Sequence, residues 1–181
     1  MDDFNIDNAI RKVPDFPKKG ILFYDITSIL ADPPAFNYCI QKMNDLYANS
    51  SINAVAAIES RGFLFAAPFA IQNRIPLILL RKKGKLPGKT YAVKFKLEYG
   101  EDILEVHQAD LNAGMNILLV DDLIATGGTI KAACELIEMG HGTVTEIFGV
   151  VGLPFLDYEK ILEGYKTTTL INYQSEKTLA L

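Results

Sequence analysis

The stretch from Ile117 to Thr129, ILLVDDLIATGGT, decides the fold of this chain. It begins with four apolar residues, continues with the acidic pair Asp121 and Asp122, and ends in a turn rich in glycine and threonine. An apolar run this short, ended by charge and followed by two glycines, is typical of a buried parallel strand that leads into a turn. Open α/β sheets bind their ligands at such strand ends, so we expect a binding site here.

The residues after the turn predict a helix, because apolar side chains recur at i, i+3, i+4 and i+7 from Ile130. The backbone N–H groups of residues 125–129 would then lie at a helix N-terminus, where free amides and the helix dipole attract anions. Two acids beside that site would repel a bare phosphate, whereas ribose hydroxyls or a metal ion would bind to them. The combination predicts a sugar phosphate as the ligand.

At these residues the chain resembles the phosphoribosyltransferase family, in which an apolar strand, two acids and a T-G-G-T loop hold phosphoribosyl pyrophosphate. The resemblance implies that Asp121 and Asp122 hold the ribose. The residues that it implies for the 5-phosphate are Ala125, Thr126, Gly127, Gly128 and Thr129. The structural alternative is a strand end whose aspartates serve as helix caps.

A P-loop ATPase is a competing interpretation, since ILLVDD is similar to a magnesium-binding strand and Gly88-Lys89-Thr90 to the end of a phosphate loop. The spacing argues against it, because Gly84 and Gly88 are separated by three residues where the motif needs four. Residues 91–97 also alternate with period two, which predicts a strand where the motif demands a helix. We therefore exclude this class.

Strand and helix patterns alternate along the 181 residues. Strands are predicted at residues 54–58, 76–80, 117–120, 143–151 and 167–171, and helices at 36–47, 63–72, from 128 onwards and near 158. This βαβ series predicts an α/β fold with a mainly parallel twisted sheet and helices on both faces, as the resemblance to type I phosphoribosyltransferases also implies. We see no repeat or linker, and expect a single domain over residues 1–181.

Two segments depart from this series. PDFPKKGILFYDI, near the N-terminus, is too rich in proline, lysine and aromatic residues for this regular pattern, and we expect a hood over about residues 1–30 that caps the ligand edge of the sheet. Residues 91–97 and 103–107 alternate around Tyr99-Gly100, which predicts a mobile antiparallel flap within about residues 81–107.

The net charge of −4 gives no support for nucleic acid as a partner. The cations are nonetheless uneven, and seven of the eighteen lie within residues 81–96: Arg81, Lys82, Lys83, Lys85, Lys89, Lys94 and Lys96. This clustering favours a small polyanionic ligand, with a solvated face as the alternative. The first twenty residues have no apolar core of signal-peptide type, and no stretch approaches membrane-spanning length, so we expect a cytoplasmic protein with no membrane partner.

The pyrophosphate of such a ligand needs cations and free amides. Glu59-Ser60-Arg61-Gly62 follows a predicted strand and opens a helix, and the resemblance places the family's pyrophosphate turn there, with Glu59, Ser60 and Arg61 assisted by Arg81 and Lys85. A surface pair of Glu59 and Arg61 is the alternative. Mg²⁺ is the expected cofactor, held mainly by pyrophosphate, ribose hydroxyls and water rather than by protein side chains.

The incoming base must lose a proton, and hypoxanthine-guanine enzymes of the family use an aspartate immediately before the loop threonine. Ala125 stands at that position here and accepts no proton. The motifs ESRGF, RKKGKLPG, LEYG and VDDLIATGGT, together with the N-terminal segment, resemble adenine phosphoribosyltransferases from about Val13 to about Val151. That resemblance implies Glu98, in LEYG, as the proton acceptor.

The same resemblance implies that main-chain groups of Leu22, Phe23 and Tyr24 read the edge of adenine, with Phe23 stacked on the purine and Leu153 on its other side. A plain core position is the alternative for Phe23. Tyr24 stands where many relatives have arginine. Gly152-Leu153-Pro154-Phe155 departs from the acid that the family commonly has after Val151.

The function implied is transfer of the phosphoribosyl group from phosphoribosyl pyrophosphate to adenine, giving AMP and pyrophosphate in purine salvage, by a homodimer. Transfer to xanthine or guanine is the alternative within enzymes. A regulator that binds phosphoribosyl pyrophosphate without catalysis is the alternative outside them. Such a regulator would need neither Glu98 nor the cationic flap, and both are present.

Overall fold

A seven-stranded sheet forms the centre of the computed structural model, which describes residues 4–96 and 100–175. The strands are β1 (Arg11–Pro14), β2 (Leu22–Asp25), β3 (Ala54–Ile58), β4 (Leu77–Lys82), β5 (Thr90–Lys96), β6 (Glu101–His107), β7 (Asn116–Ile124), β8 (Thr143–Gly152) and β9 (Thr167–Asn172). The helices are α1 (Thr27–Leu30), α2 (Pro33–Tyr47), α3 (Gly62–Asn73), α4 (Gly128–Met139) and α5 (Tyr158–Ile161). None of the described helices is long and apolar enough to cross a membrane.

The central sheet has the strand order β5-β6-β4-β3-β7-β8-β9. Adjacent strands pair in parallel throughout the run β4-β3-β7-β8-β9. Strand β6 pairs antiparallel with both β4 and β5. Alternate residues of β3 and β7 enter two separate cores, one shared with α2 and α3 and the other with α4. The predicted α/β fold with a mainly parallel sheet and helices on both faces is confirmed.

The N-terminal segment is more regular than its composition predicts. Strands β1 and β2 pair antiparallel as a separate two-stranded sheet, with Val13 opposite Phe23 and Lys12 opposite Tyr24. The sequence did not predict this pairing of residues 11–14 with residues 22–25. Pro14 is the last residue of β1 and pairs with Leu22, whereas Pro17 lies in the connection between the two strands.

Strand β7 does not end at the acidic pair, as the apolar pattern predicts, but continues to Ile124. Its neighbour β8 is one residue longer, and the parallel ladder extends to the pairs Leu123 with Val151 and Ile124 with Gly152. Asp121 and Asp122 therefore lie within a paired strand, and their backbone is fixed by the sheet rather than by a loop.

Helix α3 begins at Gly62, which contacts β7 directly. A Cβ atom on this residue would lie 2.9 Å from the carbonyl oxygen of Val120 and 3.2 Å from Asp121 Oδ1. Only glycine permits this approach without displacing the backbone of β7. The consequence is that the turn preceding α3, residues 59–61, lies against the acidic pair.

The flap hairpin, formed by β5 and β6, extends the central sheet through pairs of Arg81 with Glu105 and Lys82 with Leu104. The side chains of Tyr91, Val93 and Phe95 pack against the core beside α4. Because Thr90–Lys96 is a strand, the structure confirms the exclusion of a P-loop. The connection between β4 and β5 is largely exposed to solvent.

Candidate active site

The two aspartates of β7 have different surroundings. Asp122 is buried, with 4% of its surface exposed, and its Oδ2 atom forms an ion pair with Arg61 Nε. That oxygen accepts no hydrogen bond from the described residues, so Arg61 compensates its charge without a directed bond. Asp121 Oδ1 accepts a hydrogen bond from the backbone N–H of Asp122 at 2.9 Å. Among the described residues, no cation forms such an ion pair with Asp121.

This environment shifts the pKa of the Asp121 carboxyl. Burial raises the pKa of its carboxyl well above the ordinary value, and the negative charge of Asp122 raises it further. The positive charge of Arg61 lowers the same pKa but is the smallest of the contributions. Ionisation of the Asp121 carboxyl is therefore costly in the free protein, and a ligand that donates hydrogen bonds or carries positive charge lowers this cost.

The turn before α3 is held by the carboxylate of Glu59. Glu59 Oε2 accepts hydrogen bonds from Arg81 Nε at 3.2 Å and from the backbone N–H of Lys82 at 3.0 Å. The peptide bond between Glu59 and Ser60 is cis. Glu59 thus connects the ends of β3 and β4 and orients the side chain of Arg81. Because the Glu59 carboxylate is occupied by these bonds, the guanidinium of Arg81 is the charged group that is available to an anion.

A cavity of about 340 Å³ opens between this turn and the acidic pair. Six residues that the sequence predicted for the site line it: Glu59, Ser60, Arg61, Asp121, Asp122 and Thr129. The other lining residues are Ile58, Lys82, Phe95, Asp102, Leu104 and Leu123. Lys82 Nζ lies 3.1 Å from Asp102 Oδ2, so a cation from β4 and an acid from the flap hairpin face each other at its wall.

The turn of residues 125–127 leads into α4 beside a second cavity of about 80 Å³. Asp121, Leu123 and Thr129 line both cavities, so Asp121 lies between the two. Gly127 has a φ of 83°, which glycine adopts without steric cost, and it precedes the helix. The amide-rich N-terminus of a twelve-residue helix and a polar, cation-bearing cavity therefore meet at Asp121.

The N-terminal hairpin carries an apolar cavity of about 290 Å³, lined by Val13, Phe16, Phe23 and Asp25. The rings of Phe16 and Phe23 meet edge to face with their centroids 5.0 Å apart. Hydrogen bonds from Thr27 lower the pKa of Asp25 most strongly, and the charges of Arg11 and Arg61 lower it further.

The chain is similar in sequence to known proteins over most of its length. The model of the phosphoribosyl transferase domain matches residues 25–147. An adenine phosphoribosyltransferase from Treponema denticola is 59% identical over 177 residues, which cover 98% of this chain and 93% of the relative. The chain belongs to the adenine phosphoribosyltransferase family.

Solved structures of this family superimpose on almost the whole chain. The enzyme from Thermoanaerobacter pseudethanolicus has a TM-score of 0.88 and 45% identity, with 93% of this chain and 98% of that one covered. The enzyme from Saccharomyces cerevisiae, solved in a complex that includes adenine, has a TM-score of 0.85 and 34% identity, with 92% and 96% covered.

The residues that family resemblance predicted are not all brought together. Lys85 lies in the exposed connection between β4 and β5 and lines neither cavity of the acidic pair, whereas Arg81 reaches the turn through Glu59. Tyr24 and Leu153 are buried in the core, and Leu22 is half-buried beside them. Glu98 lies outside the described residues, and its role stays a prediction.

Sequence reasoning missed Lys82, Phe95 and Asp102 as lining residues. The cationic segment included Lys82, but only the pairing of β4 with β6 shows that it faces an acid across the cavity. Phe95 and Asp102 are opposite one another in the flap hairpin, and this register also could not be read from alternation alone.

Proposed function

We propose that this chain transfers the 5-phosphoribosyl group of phosphoribosyl pyrophosphate to adenine, releasing AMP and pyrophosphate. The observation that carries the proposal is the position of Asp121 between two cavities, one beside a helix N-terminus and one beside arginine and lysine side chains. A molecule with a phosphate at one end, a hydroxylated sugar in the middle and a pyrophosphate at the other matches that order of groups.

In this assignment the 5-phosphate accepts hydrogen bonds from the amides and hydroxyls of Ala125, Thr126, Gly127, Gly128 and Thr129. Asp121 accepts hydrogen bonds from the ribose hydroxyls, which relieves its buried charge. Arg61 and Arg81 attract the pyrophosphate, and Glu59 holds Arg81 in place for that contact. Lys82 is an additional cation at the same wall.

The acidic pair also favours the reaction itself. Positive charge develops at the anomeric carbon as the bond to pyrophosphate breaks, and fixed negative charge near that carbon stabilises the transition state. Because Asp121 and Asp122 belong to a paired strand, they need little reorganisation when this charge appears. Exclusion of water by the closing flap hairpin would protect the activated sugar from hydrolysis.

Mg²⁺ fits this site as a partner of the substrate rather than as a resident of the protein. The described residues contain no group of three or more histidine, cysteine or acidic side chains placed to hold a metal. The Asp122 carboxylate is paired with Arg61, which leaves Asp121 to face the cavity. A hard cation of this kind supplies charge neutralisation to the departing pyrophosphate.

Adenine as the acceptor is supported by family membership, by the apolar cavity beside Phe23 and by Ala125. An alanine at that position accepts no proton from a base, and we assign this step to Glu98. Phe23 would stack on the purine from the N-terminal hairpin, with main-chain groups of residues 22–24 at its edge. Leu153 would bound the opposite side.

We also propose a homodimer. Leu64 and Ile71 lie on one exposed side of α3, with 46% and 78% of their surfaces accessible, and α3 begins at the turn that lines the polar cavity. A twofold contact there would bury this apolar surface next to the site. The cytoplasmic location stays a prediction.

A direct assay tests the proposal. The protein is incubated with adenine, phosphoribosyl pyrophosphate and Mg²⁺, and AMP and pyrophosphate are quantified together. Formation of both in equal amounts supports the proposal. Binding of phosphoribosyl pyrophosphate without turnover would instead identify a regulator, and turnover with guanine or xanthine in place of adenine would reassign the base.

A further inference from the structure

The two faces of the N-terminal hairpin have different partners. Because side chains alternate along a strand, Val13 and Phe23 share one face and Lys12 and Tyr24 share the other. The first face lines the apolar cavity. The second face contacts Tyr173, which follows the last strand, β9. An isolated two-stranded hairpin is only marginally stable in water, so contacts on this second face decide how the first face is held.

The contacts of Tyr173 with the hairpin are extensive. Its ring stacks on that of Tyr24 with centroids 3.7 Å apart and an interplanar angle of 10°, and Lys12 Nζ lies 5.7 Å from its centroid. The Tyr173 hydroxyl donates to Asp7 Oδ1 at 2.5 Å, and Asp7 Oδ2 lies 2.6 Å from Lys12 Nζ. The Tyr24 hydroxyl donates to the carbonyl oxygen of Ser175 at 2.8 Å.

The backbone of Tyr173 is attached to the other side of the site. Its N–H group donates to the carbonyl oxygen of Gly152, the last residue of β8, at 3.0 Å. Leu153, which follows Gly152 in the sequence, donates its N–H to the carbonyl oxygen of Ile124, the last residue of β7, at 2.9 Å. A continuous set of contacts therefore runs from the hairpin through Tyr173 to Leu153 and to the turn that opens α4.

We infer that Tyr173 is a positioning residue for the purine, because it holds the hairpin that carries Phe23 at a fixed distance from Leu153 and the end of β8. This inference rests on the proposed function. Tyr173 itself does not line the apolar cavity, and it acts through Tyr24. Removal of the ring should therefore weaken the site for adenine and leave the site for phosphoribosyl pyrophosphate intact.

The test compares Tyr173→Leu and Tyr173→Phe with the wild type in steady-state kinetics and in calorimetric binding of adenine to the full chain. Loss of an aromatic pair predicts a rise of about three- to tenfold in KM for adenine in Tyr173→Leu, with KM for phosphoribosyl pyrophosphate unchanged. Tyr173→Phe keeps the stack and loses the bond to Asp7, so we expect most of the adenine affinity to be restored. If Tyr173→Leu does not fold, Tyr24→Leu removes the same stack and takes its place.

Tyr165→Leu is the matched control. Its hydroxyl also donates to an acid, Glu138, at 2.7 Å, and a lysine, Lys131, lies 4.7 Å from its ring centroid. This variant should lower the melting temperature without a selective change in KM for adenine. Equal changes in both KM values for Tyr173→Leu, or no change in either, would overturn the inference. A wild-type protein that does not turn over adenine would instead overturn the proposed function.

Discussion

The acidic pair illustrates how two adjacent residues of one type acquire different roles. Burial and the charge of Asp122 raise the pKa of Asp121, so the folded protein holds this proton more tightly than the unfolded chain does. The free energy of unfolding therefore falls as the pH rises above the ordinary carboxyl pKa of about 4 and through the raised value. Asp122 differs from Asp121 in its partner, because Asp122 forms an ion pair with Arg61.

We predict that Asp121→Asn stabilises the ligand-free protein at neutral pH while it lowers turnover by about ten- to one-hundredfold, the cost of one charge-assisted hydrogen bond to the sugar. Denaturant unfolding of variant and wild type between about pH 4 and pH 8 checks the first part, and the stability gap should widen as the pH rises. Asp122→Asn should also lower turnover but give no such gain, because it removes the partner of Arg61. Normal turnover in both variants would refute the ribose role, and unfolding of both would favour structural caps.

Glu98 is the residue on which proton removal depends in this account. Glu98→Gln keeps the shape of the side chain but accepts no proton, so we expect kcat to fall by about 10²- to 10⁴-fold with little change in the affinity for phosphoribosyl pyrophosphate. Glu101→Gln is the control, since Glu101 is an exposed acid at the start of β6 that is paired with Lys94. Retention of more than about half of kcat by Glu98→Gln would show that the proton leaves by another route.

At the scale of elements, the flap hairpin combines an anchored strand with an exposed connection. The apolar side of β5 packs against the core beside α4, whereas Lys83, Lys85 and Lys89 are exposed in the preceding connection. We predict that trypsin cleaves the free protein within residues 83–89 before it cleaves β5. Mg²⁺ with phosphoribosyl pyrophosphate should slow this cleavage, because the cations would contact the pyrophosphate. Identical cleavage with and without the ligand would argue against a lid.

The sequence predicted best those elements whose own apolar pattern is buried in the core. The apolar run of β3 and the helical spacing of α4 were sufficient, because both elements bury their patterns in the core. The extension of β7 to Ile124 depends on its partner β8, and polar residues in the strand conceal it. The pairing of β1 with β2 was missed because prolines and lysines dominate the composition of that segment.

In the candidate site, too, local motifs were predictive and contacts that depend on strand pairing were not. Motifs placed Arg61, Asp121 and Thr129 in one neighbourhood, and they line one cavity. Contacts that depend on the pairing of strands distant in sequence were not predictable, as the ion pair between Lys82 and Asp102 shows. Glu59 was predicted as part of the pyrophosphate turn, but only the structure shows its carboxylate bound to Arg81 and to the backbone of Lys82.

For the whole molecule, the exposed side of α3 predicts self-association. Sedimentation at micromolar concentration should give about twice the chain mass of 20.0 kDa. Ile71→Glu should shift the protein toward the single-chain mass, because it places a charge in the expected contact. Met139→Glu is the control, since Met139 is an exposed apolar residue of α4, 45% accessible. A single species of 20.0 kDa for the wild type would refute the homodimer.

The central claim is the choice of adenine as acceptor, and a competition experiment tests it most directly. Adenine, guanine, hypoxanthine, xanthine and uracil are mixed in equal concentrations with limiting phosphoribosyl pyrophosphate and Mg²⁺, and the nucleotide products are resolved by mass. We expect AMP to be by far the main product and pyrophosphate to form in an equal amount, because Ala125 and the apolar cavity beside Phe23 suit adenine. Comparable amounts of GMP or IMP would contradict it.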